Sequence, residues 1–164
     1  MQRLQFLDGP AALPELIKRD AGLPCFVYFG AKWCPDCDRS SPLVSKAVAA
    51  SGACKVFWVD VGDKATFRDK TSKVRTACTN VWKLRCLPTL IYVGSDGTGR
   101  IVDRLDTELE ECEDPAAGLK LASDFIGRCM GSRPTFMQAH LLKTATVVAA
   151  VAVIAGVVLA RSKT

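Results

Sequence analysis

The stretch Pro24-Cys25-Phe26-Val27-Tyr28-Phe29-Gly30-Ala31-Lys32-Trp33-Cys34-Pro35-Asp36-Cys37 decides the reading of this chain. Residues 24–29 form a short apolar, aromatic run, which predicts a buried strand. Residues 30–33 predict a turn. Pro35 suits a first helical turn, and Leu43, Val44, Ala47 and Val48 share one face of a predicted helix over 35–50. The Cys-x-x-Cys therefore falls where a buried strand turns into a helix. A helix start directs unpaired backbone N–H groups and the positive dipole end at whatever sits there. Both stabilise a thiolate, so Cys34 is expected to ionise more readily than a free thiol. Cys37 lies one turn later on the same face, where it can attack a mixed disulfide formed at Cys34. Two thiols at this spacing make a two-electron disulfide reductant, with Cys34 as nucleophile and Cys37 as resolving thiol. The competing reading is half a zinc site. Zinc needs two further ligands, and the chain has no second Cys pair and a single His.

Working outward, residues 55–60 (Lys-Val-Phe-Trp-Val-Asp) predict the next strand and 89–93 (Thr-Leu-Ile-Tyr-Val) another. Residues 64–76 are charged and predict a helix. Residues 94–97 predict a hairpin turn into a strand over 100–105. Residues 115–129 predict a helix with Leu119, Leu121, Ala122, Phe125 and Ile126 apolar. Upstream, 4–7 predict a strand and 11–18 a helix. The order β-α-β-α-β-α-β-β-α implies an α/β fold, a mixed sheet with helices on both faces.

With these residues in place, Trp33-Cys34-Pro35-Asp36-Cys37 and Leu87-Pro88-Thr89 before a later strand resemble the thioredoxin fold. The Pro-Asp centre resembles one branch, the small cytosolic thioredoxin-related type of thioredoxin domain-containing protein. A second likeness is Val59-Asp60-Val61-Gly62-Asp63-Lys64 followed by Phe67-Arg68-Asp69, similar to that branch's loop after the third strand. The resemblance covers residues 22–127. It implies that Pro88 is cis and that Leu87, Pro88 and Thr89 contact bound substrate, with Trp33 covering the other side; Pro35 and Asp36 complete the expected contact set. It implies small or exposed disulfides, nitrosylated or persulfidated thiols as substrates, rather than bulky protein clients. No cofactor or metal is expected. An external thiol reductant or reductase would restore the dithiol.

Two departures from the resemblance matter. The loop before Trp33 is only Gly30-Ala31-Lys32, where the branch has a longer one. The position at which thioredoxins carry a buried Asp is Tyr28, so Cys37 lacks that base, leaving water or Asp36 for the resolving step. Asp36 suits the first helical turn, and its charge near both sulfurs opposes a second negative charge and repels acidic partner surfaces.

The C-terminal stretch has a different character. Residues 144–160 read TATVVAAVAVIAGVVLA, 17 residues without a charge. At 1.5 Å per residue they span roughly 25 Å, and adding Leu141, Leu142 and a snorkelling Lys143 reaches the ~20 residues a membrane span needs. The expected organisation is a thioredoxin-like domain over 1–130, a linker over 131–140, one transmembrane helix over 141–160 and a basic tip over 161–164. Residues 1–13 lack an apolar signal core, because Asp8-Gly9-Pro10 interrupts it. The expectation is a tail anchor with the domain facing the cytosol. A short span with a basic tip resembles anchors of the mitochondrial outer membrane or peroxisome more than those of the endoplasmic reticulum. His140 reads as an interfacial residue without chemistry.

Charge follows the same division. Arg128, Arg133, Lys143, Arg161 and Lys163 give residues 128–164 a charge of +5 with no acid. The remaining residues balance at 17 cations and 17 acids, which is not the footprint of a nucleic-acid-binding domain. Within them, 64–85 are basic and 103–114 acidic. Solvated faces explain both; the basic segment would also attract anionic partners such as glutathione-like thiols. Cys25, Cys54, Cys78, Cys86, Cys112 and Cys129 read as spectator thiols, with Cys78 and Cys86 the two that could lie near the active site. The functional expectation is a membrane-anchored thiol-disulfide oxidoreductase; the alternative is a tail-anchored adaptor with little catalytic activity.

Overall fold

In the computed structural model, residues 4–19, 23–52, 55–94 and 100–131 are described. The central strand is β2 (Cys25–Gly30), all six of whose residues are buried. It runs parallel to β3 (Val56–Asp60), which in turn pairs in parallel with β1 (Leu4–Asp8). On its other side β2 pairs antiparallel with β4 (Thr89–Val93), and β4 pairs antiparallel with β5 (Ile101–Leu105). The sheet order is β1-β3-β2-β4-β5. A strand covered on both faces cannot alternate polar with apolar, which is why 25–29 read as one apolar run.

Side chains alternate across that strand. Phe26 and Tyr28 join Val44, Ala47 and Val48 of α2 (Pro35–Ser51) and Ala122, Phe125 and Ile126 of α6 (Pro115–Gly131) on one face. Val27 and Phe29 join Leu13 and Ile17 of α1 (Leu13–Arg19) with Phe57, Val59, Cys78 and Trp82 on the other. Helices thus cover both faces of a mixed sheet, as the element order implies. Each fully buried Phe or Leu contributes about 1.5–3 kcal/mol.

The expected helix over 64–76 is not continuous. α3 (Lys64–Arg68) stops, α4 (Lys73–Thr76) restarts, and a π-helical turn follows at Ala77–Val81. Local side-chain bonds compete with the helix here. The Asp69 carboxylate accepts from the Thr71 amide at 2.8 Å, and Ser72 Oγ accepts from the Arg75 amide at 3.0 Å as a new N-cap. The sequence pattern does not reveal α5 (Thr107–Glu110), and α6 runs through Gly131, into the range expected for the linker. α1 begins at Leu13 rather than residue 11, since the Leu13 amide donates to the Pro10 carbonyl across a turn.

Among the described residues no helix is long and apolar enough to cross a membrane. The rest of the linker (132–140, with His140), the anchor (141–160), the tip (161–164), Cys54 and the turn residues 95–99 lie outside the described residues.

Candidate active site

Two devices put the cysteines at one spot. β2 ends in Gly30, where a Cβ would meet the Tyr28 ring carbon at 2.7 Å, so the chain turns without a side chain in the way. Cys34 then takes the N-cap position of α2, with Pro35 at the first helical position. Its backbone is extended (φ −101, ψ 109), and its carbonyl accepts from the amides of Cys37 at 3.1 Å and Asp38 at 3.2 Å. Cys34 Sγ itself accepts from the Cys37 amide at 3.2 Å. A side-chain acceptor at the N-cap normally comes from Ser, Thr, Asp or Asn; here a sulfur takes that place. Cys34 and Cys37 are joined as a disulfide with Cα atoms 5.2 Å apart. When the pair is reduced, the same amide and the helix start are available to hold a thiolate on Cys34.

The Leu87–Pro88 peptide bond is cis, as the resemblance implies. Leu87 presents its carbonyl oxygen 3.7 Å from Cys34 Sγ. Thr89 is fully buried, and its hydroxyl donates to the Cys86 carbonyl at 2.8 Å. Thr89 therefore closes the turn that holds Leu87, and its side chain is spent there. Arg85 fixes the same turn from the other end. Its guanidinium makes two bonds to the buried Asp106 carboxylate, at 2.9 and 2.7 Å, and Asp106 also caps α5 through the Thr107 amide. Arg85 holds the Asp106 carboxyl below the usual carboxylate range against the cost of burial.

Trp33 is held on the far side. Its Nε1 donates to the Gly62 carbonyl at 2.6 Å, and its ring lies 5.7 Å from that of Phe67 on α3. Gly62 has φ +82, a conformation that favours glycine, and its amide donates to the Asp60 carboxylate at 2.9 Å. Asp63 then caps α3 through the Thr66 amide. The Val59–Asp63 motif of the sequence is thus the seat of Trp33.

Each cysteine opens to its own pocket. Cys34, with Trp33, Pro35, Asp36 and Leu87, lines a groove of about 400 Å³ that also takes in Phe67, Glu110 and a row of cations. Pro88 and Thr89, expected as substrate contacts, are not among the residues lining the groove. Cys37 lines a separate pocket of about 300 Å³ with Tyr28, Trp58, Asp38 and Asp60. Asp36 is turned to Arg39, 2.6 Å away, and belongs to the Cys34 side. The carboxylates that share the Cys37 pocket are Asp38, Asp60 and Asp8, none of which the sequence reading singled out for the resolving step. Tyr28 stays protonated. Burial pushes its hydroxyl up to about 12, and it bonds Ser40 Oγ at 3.0 Å and the Cys37 carbonyl at 3.4 Å.

Three other thiols, those of Cys78, Cys86 and Cys129, are held back by burial. Cys78 is fully buried and pushed up to about 11; Cys129 likewise reaches about 11. Cys86, despite standing next to Leu87, is pushed up to about 12 by burial and by Glu110 beside it.

The profile of the family described as thioredoxin domain-containing protein 17-like, thioredoxin domain, matches residues 23–109. The chain belongs to this family. The mouse Thioredoxin domain-containing protein 17 is 28% identical over 89 residues, covering 49% of this chain and 69% of the relative. The human protein of the same name is 28% identical over 97 residues, covering 54% and 76%. Among solved structures, reduced Schistosoma mansoni thioredoxin pre-protein superposes with a TM-score of 0.50 at 20% identity, over 76% of this chain and 99% of the other. That likeness shows the fold. Within the family match lie Cys34, Cys37, Trp33, the Leu87–Pro88 turn and the cations of 64–75, whereas residues 110–164 fall beyond it.

Proposed function

We propose that the protein is a thiol-disulfide reductase in which Cys34 attacks and Cys37 resolves. One observation carries this reading: Cys34 Sγ sits at a helix start, bonded to the Cys37 amide, at the edge of an open groove. The Cys34 thiolate attacks a substrate disulfide; one sulfur leaves as a thiolate and takes up a proton, and Cys34 is left in a mixed disulfide. Cys37 loses its proton and attacks Cys34 Sγ. The second substrate thiol departs, and the Cys34–Cys37 disulfide forms. An external thiol reductant or reductase returns two electrons and two protons. Trp33, Pro35, Asp36 and Leu87 border the approaching disulfide, with Pro88 and Thr89 shaping the Leu87 turn. Residues 141–160 hold the domain at a membrane, facing the cytosol; the basic tip favours the mitochondrial outer membrane or peroxisome.

The order of attack is tested by single substitutions. Cys34→Ser is expected to abolish cystine or insulin reduction. Cys37→Ser is expected to retain the first step and accumulate mixed disulfides that non-reducing gels resolve. Turnover by Cys34→Ser would overturn the assignment. A wild-type chain that binds partners yet reduces no disulfide would support the adaptor instead.

A further inference from the structure

We propose that the groove over Cys34 selects disulfides carrying a negative charge beside the sulfur pair, and that Lys64, Arg68, Lys70 and Arg75 make the selection. This rests on the reductase reading and names its substrate class. All four cations line the same groove as Cys34 and come from one short segment. The break between α3 and α4 turns that segment at the groove edge, so cations from both short helices and from the link between them reach one opening.

Their charge is not cancelled locally. Among the described residues none of the four forms an ion pair; the carboxylates found in such pairs serve Arg39, Arg85, Lys120 and Arg128. Of the two acids in the groove, Asp36 is neutralised by Arg39. Glu110 also lines the groove, and its side chain bonds Cys86. The opening over Cys34 is therefore electropositive although the soluble part of the chain is balanced.

Two of the cations are positioned over the aromatic wall. Lys64 Nζ stands 5.9 Å from the Trp33 ring centre, and the Arg75 guanidinium 4.9 Å from that of Phe67. An alkyl disulfide can lie on the Trp33–Phe67 surface while its terminal anion meets the cations. The cavity of about 400 Å³ is of the size that takes small ligands. The class is thus a low-molecular-weight or peptide disulfide with a carboxylate a few bonds from sulfur. Like-charged cations at the same distance would be repelled by the same groove.

Three disulfides of closely similar length separate charge from shape: dithiodipropionate with two carboxylates, hydroxyethyl disulfide with none, and cystamine with two ammonium groups. Single-turnover rates of the reduced full chain in neutral detergent are measured for each. Every rate is divided by that of free dithiothreitol with the same disulfide, which removes the difference in leaving thiol. The expected order is anion, then neutral, then cation, with steps of about tenfold at low salt, the lower end of electrostatic steering. Raising the ionic strength should compress the series, and this needs no variant. Lys64→Glu with Arg68→Glu, both on the surface, brings the four side chains from +4 to zero and should flatten it. Equal normalised rates for the three disulfides, or a wild-type series that salt leaves unchanged, would overturn the selection and leave the reductase standing. Failure to reduce any of the three would overturn the reductase reading itself.

Discussion

Cys34 differs from Cys78, Cys86 and Cys129 by its surroundings, not by its chemistry. Cys34 meets an amide donor and a helix start, whereas burial keeps the other three protonated, Cys78 and Cys129 at about 11 and Cys86 at about 12. A thiol three units above the ambient pH is ionised about once in a thousand, and only the thiolate attacks. Brief iodoacetamide treatment of the reduced protein at pH 8 should therefore alkylate Cys34 well ahead of these three, as peptide mass spectrometry would show. Cys86 labelled as fast as Cys34 would contradict the effect of Glu110 and burial. At this scale much was legible from sequence. Cys34, Cys37 and Trp33 are neighbours in the chain, and their geometry follows from one turn into one helix. Asp60 and Phe67 were legible only as part of a family-like loop and Asp38 not at all, because their relation to the cysteines comes from the pairing of β2 with β3 and the seating of α3. Asp36 illustrates the limit: its position was plain, but its bond to Arg39 depends on a rotamer that spacing does not decide.

The elements around the groove are held by polar joints more than by helix length. α3, α4 and α5 have five, four and four residues, too short to persist by propensity. Each instead starts on a side-chain cap, from Asp63, Ser72 and Asp106. The charge pattern of 64–76 is helical, which is why one 13-residue helix is expected there, but the Asp69 and Ser72 side chains bond nearby backbone groups and divide it. Asp106 matters most, since it is buried, caps α5 and receives Arg85 just ahead of the Leu87 turn. Arg85→Ala removes the charge-assisted partner of that carboxylate and should lower the stability of the fold. The pH dependence has a definite sign. Because the folded Asp106 carboxyl lies below its unfolded value, its contribution is present above about pH 4 and is lost as pH falls through the folded value. In Arg85→Ala the folded value rises, so stability near neutrality drops while the slope below about pH 4 flattens. Parallel acid unfolding curves for wild type and variant, followed by circular dichroism, would refute the joint.

At the scale of the whole molecule, charge and hydrophobicity divide the chain at nearly the same place. Among the described residues the sheet and its covering helices belong to a compact unit spanning Met1–Met130, whose sequence is close to neutral, while the +5 resides in 128–164 around the apolar run. The fold was legible because each strand is an apolar run ended by turn residues, and the element order leaves few ways to build a sheet from them. The proposed anchor rests on sequence composition: seventeen uncharged residues, extended to about twenty by Leu141, Leu142 and the stem of Lys143. Val and Ala dominate, so the span is only modestly apolar, and its hold on a bilayer is the quantity to measure. Full-length protein expressed in cells should stay in the membrane pellet after alkaline carbonate extraction. A chain ending at Gly131, which retains all of α6, should move to the supernatant and keep its disulfide-reducing rate. Carbonate release of the full chain would remove the anchor and leave the redox centre untouched. Neutralising Arg161 and Lys163 to Ser separates a further step, because it alters the tip without shortening the span. That variant should leave extraction unchanged but shift the protein by imaging from mitochondrial or peroxisomal surfaces towards the endoplasmic reticulum; an unmoved variant would overturn the role given to the tip alone.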